Sequence, residues 1–138
     1  MVLPLEDRIA LHELIATYNH AVDHHEAEAY AATFTPDGAL VANGEERARG
    51  TVALTEYIAK RRRTGEPRLR HWVNNILIDG EGDRARLKAY VMAFNIGPGL
   101  EAPYVMGEYE DDAVKIDGAW RFETRRMTVV AGGSLTGR

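Results

Sequence analysis

From Leu5 to about His24, apolar residues recur at spacings of three and four. Leu11, Leu14, Ile15, Tyr18 and Val22 form one stripe of a predicted helix, and Leu5 and Ile9 extend it toward its start. Pro4 sits just before this helix or in its first turn, and Glu6 and Asp7 suit the positive end of its dipole. EAEAYAAT, from Glu26 to Thr33, is rich in helix formers and predicts a second, shorter helix. Thr35-Pro36-Asp37-Gly38 reads as a turn, Ala39 to Asn43 as a short strand and Asn43-Gly44 as a hairpin turn. After Gly50, Thr51 is placed to cap a third helix to about Arg63, with Leu54, Tyr57 and Ile58 on one face.

Strand patterns fill the rest: Arg70 to Asp79, Arg84 to Ile96, Tyr104 to Ile116 and Trp120 to Val130. Gly80 to Asp83 and Asp117-Gly118 are the turns, and Gly97, Pro98, Gly99 and Pro103 mark a loop. The Gly/Ser-rich tail from about Ala131 is expected to be mobile. Helices followed by long antiparallel strands give an α+β class. The expected architecture is a cone, with helices packed on a strongly curved sheet around an apolar pocket.

With 138 residues and no repeat or linker, one domain spanning 1–138 is expected. The absence of cysteine excludes disulfides and thiolate chemistry. No apolar run approaches the roughly 20 residues of a membrane span, and MVLPLEDR lacks the pattern of a signal peptide. The expectation is therefore a cytoplasmic protein without membrane association. A net charge of −4 argues against nucleic acid as the main partner.

The candidate chemistry is distributed. On its strand His71 shares a face with Val73, Asn75 and Leu77, while Trp72, Asn74, Ile76 and Ile78 share the other. Neither face is plainly polar, so the strand reads as covered on both sides. A histidine there is either a core residue satisfied by backbone or a base whose tautomer a carboxylate fixes. Asp23 is the candidate carboxylate, set against the helix dipole, with a turn or the cap of the second helix as its plainer reading. Tyr18 is either core packing or a phenol aimed into the cavity. Tyr18 and Asp23 are about 140° apart on a helix, so they converge only if it ends near Asp23. Strict alternation groups Arg126 with Trp120 and Phe122, and a bulge would turn Arg125 inward instead. Lys60 to Arg63 reads as a solvated helix end. His20 and His24 have metal-compatible spacing but no accompanying ligand set, and no phosphate loop or serine elbow is present. No metal or cofactor is expected.

FTPDGAL, HWVNNILIDG and GEYEDDAVKIDGAWRFETRR, in this order after the first helices, resemble the SnoaL-like branch of the nuclear transport factor 2-like superfamily over nearly the whole chain. Gly107-x-Tyr109, the Asp117-Gly118-x-Trp120 turn and Arg125 carry the likeness. Members with a catalytic Asp–His pair include scytalone dehydratase, bile acid 7α-dehydratase and hexachlorocyclohexane dehydrochlorinase. In the last two the pair has the separation of Asp23 and His71. The bile acid enzyme has a tyrosine where this chain has Tyr18, and the dehydrochlorinase has a lysine there and an arginine matching Arg125. The resemblance implies a cofactor-independent, dehydratase-like lyase acting on a steroid-like, polyketide-like or aromatic molecule, with Tyr18, Asp23, His71 and Arg125 catalytic. An isomerase of the ketosteroid type and a binding or accessory domain without chemistry are the alternatives. The superfamily also implies a homo-oligomer, trimer or dimer.

Overall fold

The computed structural model describes residues 2–98 and 105–132. Three helices come first, interrupted by a hairpin: α1 (Leu5–Asp23), α2 (Ala27–Ala32), β1 (Phe34–Ala42), β2 (Glu45–Arg49) and α3 (Thr51–Thr64). Four long strands follow: β3 (Leu69–Glu81), β4 (Arg84–Asn95), β5 (Val105–Ile116) and β6 (Ala119–Gly132). They form one six-stranded sheet in the order β2-β1-β6-β5-β4-β3. All neighbours are antiparallel except β1 and β6, which run parallel because the chain returns beside its first strand only at its end. The α+β layout thus holds, with one parallel pair in the expected antiparallel sheet. Strand ends at Ala131 and Gly132 still belong to β6, and the remaining tail lies outside the described residues, as do Gly99 and Pro103 of the expected loop.

The helices cover one face of the sheet. Leu11, Leu14, Ile15, Tyr18 and Val22 are buried as the periodicity requires, but Leu5 and Ile9 are exposed. Ile9 lies about 200° around the helix from Leu11, and the inward position one turn before Leu11 is taken by Asp7. The Asp7 carboxylate accepts hydrogen bonds from Trp120 Nε1 at 2.9 Å and Lys115 Nζ at 3.0 Å. These contacts hold its carboxyl below the usual range and tie the start of α1 to the β5–β6 hairpin. α3 begins at Gly50 rather than on a threonine cap: Gly50, at φ 87°, occupies the cap position and Thr51 opens the first turn. A side chain at that backbone angle is disfavoured, so glycine is used there.

Five irregularities interrupt the pairing, one of them between Leu40 and Val41 in the β1–β2 hairpin. Phe34 to Ala39 departs from regular pairing, so the segment read as a turn lies inside β1. In β3, Asn75 and Ile76 together face Ala89 of β4, and Asn75 has φ 54°. This bulge reverses the parity of the strand: His71, Val73, Ile76 and Ile78 turn toward the helices. Trp72 and Leu77 are exposed on the other face, so β3 is not covered on both sides. In β6, Glu123 is the extra residue between Phe122 and Thr124. It places Arg125, not Arg126, on the inner face with Trp120 and Phe122. A further shift at Gly107 brings β5 and β6 close: a Cβ there would stand 2.8 Å from the Thr128 carbonyl oxygen and 3.2 Å from Met127 Sδ. Gly107 therefore has a steric reason to lack a side chain.

Candidate active site

α1 ends at Asp23, and the next residues leave the helix with His25 at φ 55°. This termination frees the Asp23 side chain from the outward direction that a continued helix would give it. It does not cap α2, whose cap position is Glu26. Instead Asp23 reaches the start of β3 and holds His71 twice. Oδ1 lies 2.5 Å from the ring Nδ1, and Oδ2 accepts the backbone N–H of His71 at 2.9 Å. Both side chains are largely buried, 6% and 11% exposed. Two contacts to one residue fix the imidazole in position as well as in tautomer. The carboxylate requires a proton on Nδ1, which leaves the Nε2 lone pair unprotonated.

His71 lines a cavity bounded by α1, α2, α3 and the inner face of the sheet. Tyr18, Tyr30, Tyr57 and Tyr109 contribute phenols, and Arg47, Arg61 and Met127 complete its polar and flexible wall. Asp23 stands behind His71 rather than on the wall. The free space is about 60 Å³, well short of the ~300–1,000 Å³ of sites for drug-sized ligands. Room for one small ring or less is all that exists without movement of lining side chains.

Tyr18 is packed edge-on against Tyr109 and Phe122 and tilted against Tyr30. Burial raises its phenol above the ordinary value, and the charge of Arg125 pulls part of the way back. Burial raises Tyr30 well above its ordinary value too, with Tyr18 adding to the effect. The Tyr30 hydroxyl has no hydrogen-bond partner that meets ordinary geometry. These phenols therefore stay protonated at neutral pH.

Arg125 faces inward but does not line the cavity. It is wholly buried beneath the aromatic wall, its guanidinium carbon 3.5 Å from the Tyr109 ring centre, 4.3 Å from Tyr18 and 4.5 Å from Phe122. Its Nε donates to Asp111 Oδ1 at 3.1 Å. The structure thus puts Tyr18 and His71 on the wall of one cavity, with Asp23 behind His71 and Arg125 behind the aromatic wall. His20 and His24 stack on each other, and His24 Nδ1 lies 2.9 Å from the His20 carbonyl oxygen.

Sequence reading missed four lining residues. Tyr30 counted only as part of a helix-forming stretch, and Tyr57 only as an apolar face. Lys60 to Arg63 reads as a solvated helix end, yet Arg61 is half-buried on the cavity while Arg62 and Arg63 pair with Glu28 and Glu56 outside. Arg47 carried no local signal. Tyr109 had one, since it follows the glycine that allows β5 and β6 to close.

The model of the SnoaL-like domain matches residues 4–126. The chain belongs to the SnoaL-like domain family. A protein of unknown function with a cystatin-like fold from Nostoc punctiforme is 27% identical, with TM-score 0.86 over 98% of this chain and 99% of that one. A function-unknown protein from Mycobacterium tuberculosis, solved as an aspartate-to-asparagine variant, is 28% identical over 93% of this chain and 76% of that one, with TM-score 0.83. A provisionally named scytalone dehydratase from Novosphingobium aromaticivorans shares the fold at TM-score 0.80, with 24% identity over 92% and 86% of the two chains. No curated protein matches the chain. Among the described residues of this SnoaL-like domain, no helix is long and apolar enough to cross a membrane.

Proposed function

We propose that this SnoaL-like domain is a lyase that eliminates water from a small ring-bearing molecule, with His71 as the general base. The observation that carries this reading is the double hold of Asp23 on His71, which leaves Nε2 unprotonated on a residue that lines the cavity. In the reaction His71 Nε2 takes a proton from carbon. The C–H electron pair becomes the new carbon–carbon double bond, and the carbon–oxygen bond breaks. The departing hydroxyl takes a proton from Tyr18, and the imidazolium returns one to the Tyr18 phenolate. The net loss is one water. Asp23 stabilises the imidazolium. Arg125 acts through Tyr18 and Tyr109, whose rings it supports, rather than on substrate. The small free space favours an aromatic or single-ring substrate over a steroid-sized one, which requires lining side chains to move.

The test is a panel of ring-bearing β-hydroxy ketones assayed by mass spectrometry. Loss of water marks the lyase, and a product of unchanged mass marks an isomerase using the same base. On a turned-over substrate, His71→Ala and Asp23→Asn each lower the rate by about 10²–10⁴-fold with the circular dichroism spectrum unchanged. Full turnover in either variant contradicts the assignment.

A further inference from the structure

The cavity wall is not merely apolar. Two arginines line it: Arg47 on edge strand β2 and Arg61 on α3, which packs against β1 and β2. His71 lies on β3, the opposite edge. Neither arginine has a carboxylate partner among the described residues, whereas Arg49, Arg62, Arg63, Arg84, Arg86 and Arg126 each do. Arg47 Nε is shielded from solvent without a hydrogen-bond partner, and its one contact is a long 3.4 Å donation from a terminal nitrogen to the Ala42 carbonyl. Arg61 lies over the Tyr57 ring at 5.1 Å and reaches that hydroxyl only at 3.5 Å. A shielded guanidinium donor left unpaired is costly, and an anion is what repays that cost.

Resting on the reading of this cavity as a small-molecule site, we propose that its ligand carries a carboxylate, which Arg47 and Arg61 hold. Three observations support this. The Asp23 carboxylate behind His71 repels a second anion from His71. The two cations line the cavity without carboxylate partners among the described residues, in a chain whose net charge of −4 does not otherwise attract anions. The rings of Tyr18, Tyr30, Tyr57 and Tyr109 share that wall and suit an aromatic body. The narrow free space favours a planar carboxylate, which matches the guanidinium fork, over a bulkier tetrahedral phosphate. The carboxylate is thus an anchor, and its binding energy positions the reacting carbon at Nε2.

Binding of phenylacetate and of its neutral isostere phenylacetamide, followed by calorimetry and by amide NMR shifts, tests this without any turnover. The acid binds at least about 10-fold more tightly than the amide, as one charge-assisted hydrogen bond provides. Arg47→Met and Arg61→Met each remove about 10-fold or more of the acid affinity and leave the amide unchanged. Arg62→Gln, which deletes a cation of the same helix outside the cavity, changes neither. His71→Ala retains acid binding, so loss of the base does not register as loss of the anchor. Absence of acid binding, equal binding of acid and amide, or unaltered acid affinity in both arginine variants overturns the proposal. Turnover of neutral ketones with such a result leaves the lyase reading standing, while acid binding without turnover of any substrate leaves only the anchor.

Discussion

Arg125 and Asp111 are both wholly buried and share one hydrogen bond of 3.1 Å. The terminal nitrogens of Arg125 and the second oxygen of Asp111 have no hydrogen-bond partners, so the guanidinium is held mainly by the faces and edges of Tyr109, Tyr18 and Phe122. Burial pushes the Asp111 carboxyl up to about 7, with Arg125 pulling back part of the way. The folded value then lies above the ordinary 3.8, so the native state holds a proton that the unfolded chain has released. The resulting stabilisation is complete at acid pH and is lost as pH rises toward about 7. Asp111→Asn is neutral throughout and removes this slope. Urea unfolding should show wild type losing stability relative to Asp111→Asn between about pH 4 and about pH 7; parallel curves contradict the assignment. Above about pH 7, where Asp111 is ionised, Arg125→Met costs about 3–5 kcal/mol because it strands a buried charge, and the double variant with Asp111→Leu recovers much of it.

At the scale of elements, patterns of period 3.6 and 2 made most of the fold legible. α1 ends at Asp23 and β4 begins at Arg84 as the periodicity and the glycine turns require. Asn43-Gly44 and Asp117-Gly118 both adopt the paired positive φ of two-residue hairpins. What remained illegible depends on single extra residues. Asn75 in β3 and Glu123 in β6 each break the alternation, and nothing in their immediate sequence marks a bulge. The first turns Ile76 inward and Leu77 outward, and the second chooses Arg125 over Arg126. The pair of Asp23 and His71 was legible only through family resemblance, because local preference made Asp23 a cap. Arg47, Arg61 and Tyr30 were not legible as site residues at all. Their roles arise from which edge of the sheet each element reaches, a property of topology that no window of sequence contains.

For the whole molecule, the outer face of the sheet is the counterpart of the cavity face. Trp72 on β3 is 67% exposed and Leu77 is 68% exposed. Tyr90, Met106 and Val130 continue this apolar surface across β4, β5 and β6, and Trp72 rests on Phe94 at 4.7 Å. A contiguous apolar face of this kind marks an interaction surface. A homo-oligomer, dimer or trimer, assembled on this face is therefore predicted. Light scattering coupled to size exclusion should return a multiple of 15.4 kDa, and Trp72→Glu should shift the species to the monomer. A monomer at every concentration contradicts the prediction. Assembly on this face leaves the cavity on the other face free, so the interface and the site are separable by mutation.

Imidazole nitrogen NMR reads the hold of Asp23 on His71 without any substrate. In long-range proton–nitrogen spectra near neutral pH, neutral His71 should have its proton on Nδ1, with a strongly downfield hydrogen-bonded resonance, and an unprotonated Nε2. Asp23→Asn should abolish that resonance and return the ring to the tautomer mixture of a free histidine. A proton on Nε2 in the wild type, or identical spectra in both proteins, would show that Asp23 does not set the tautomer of His71.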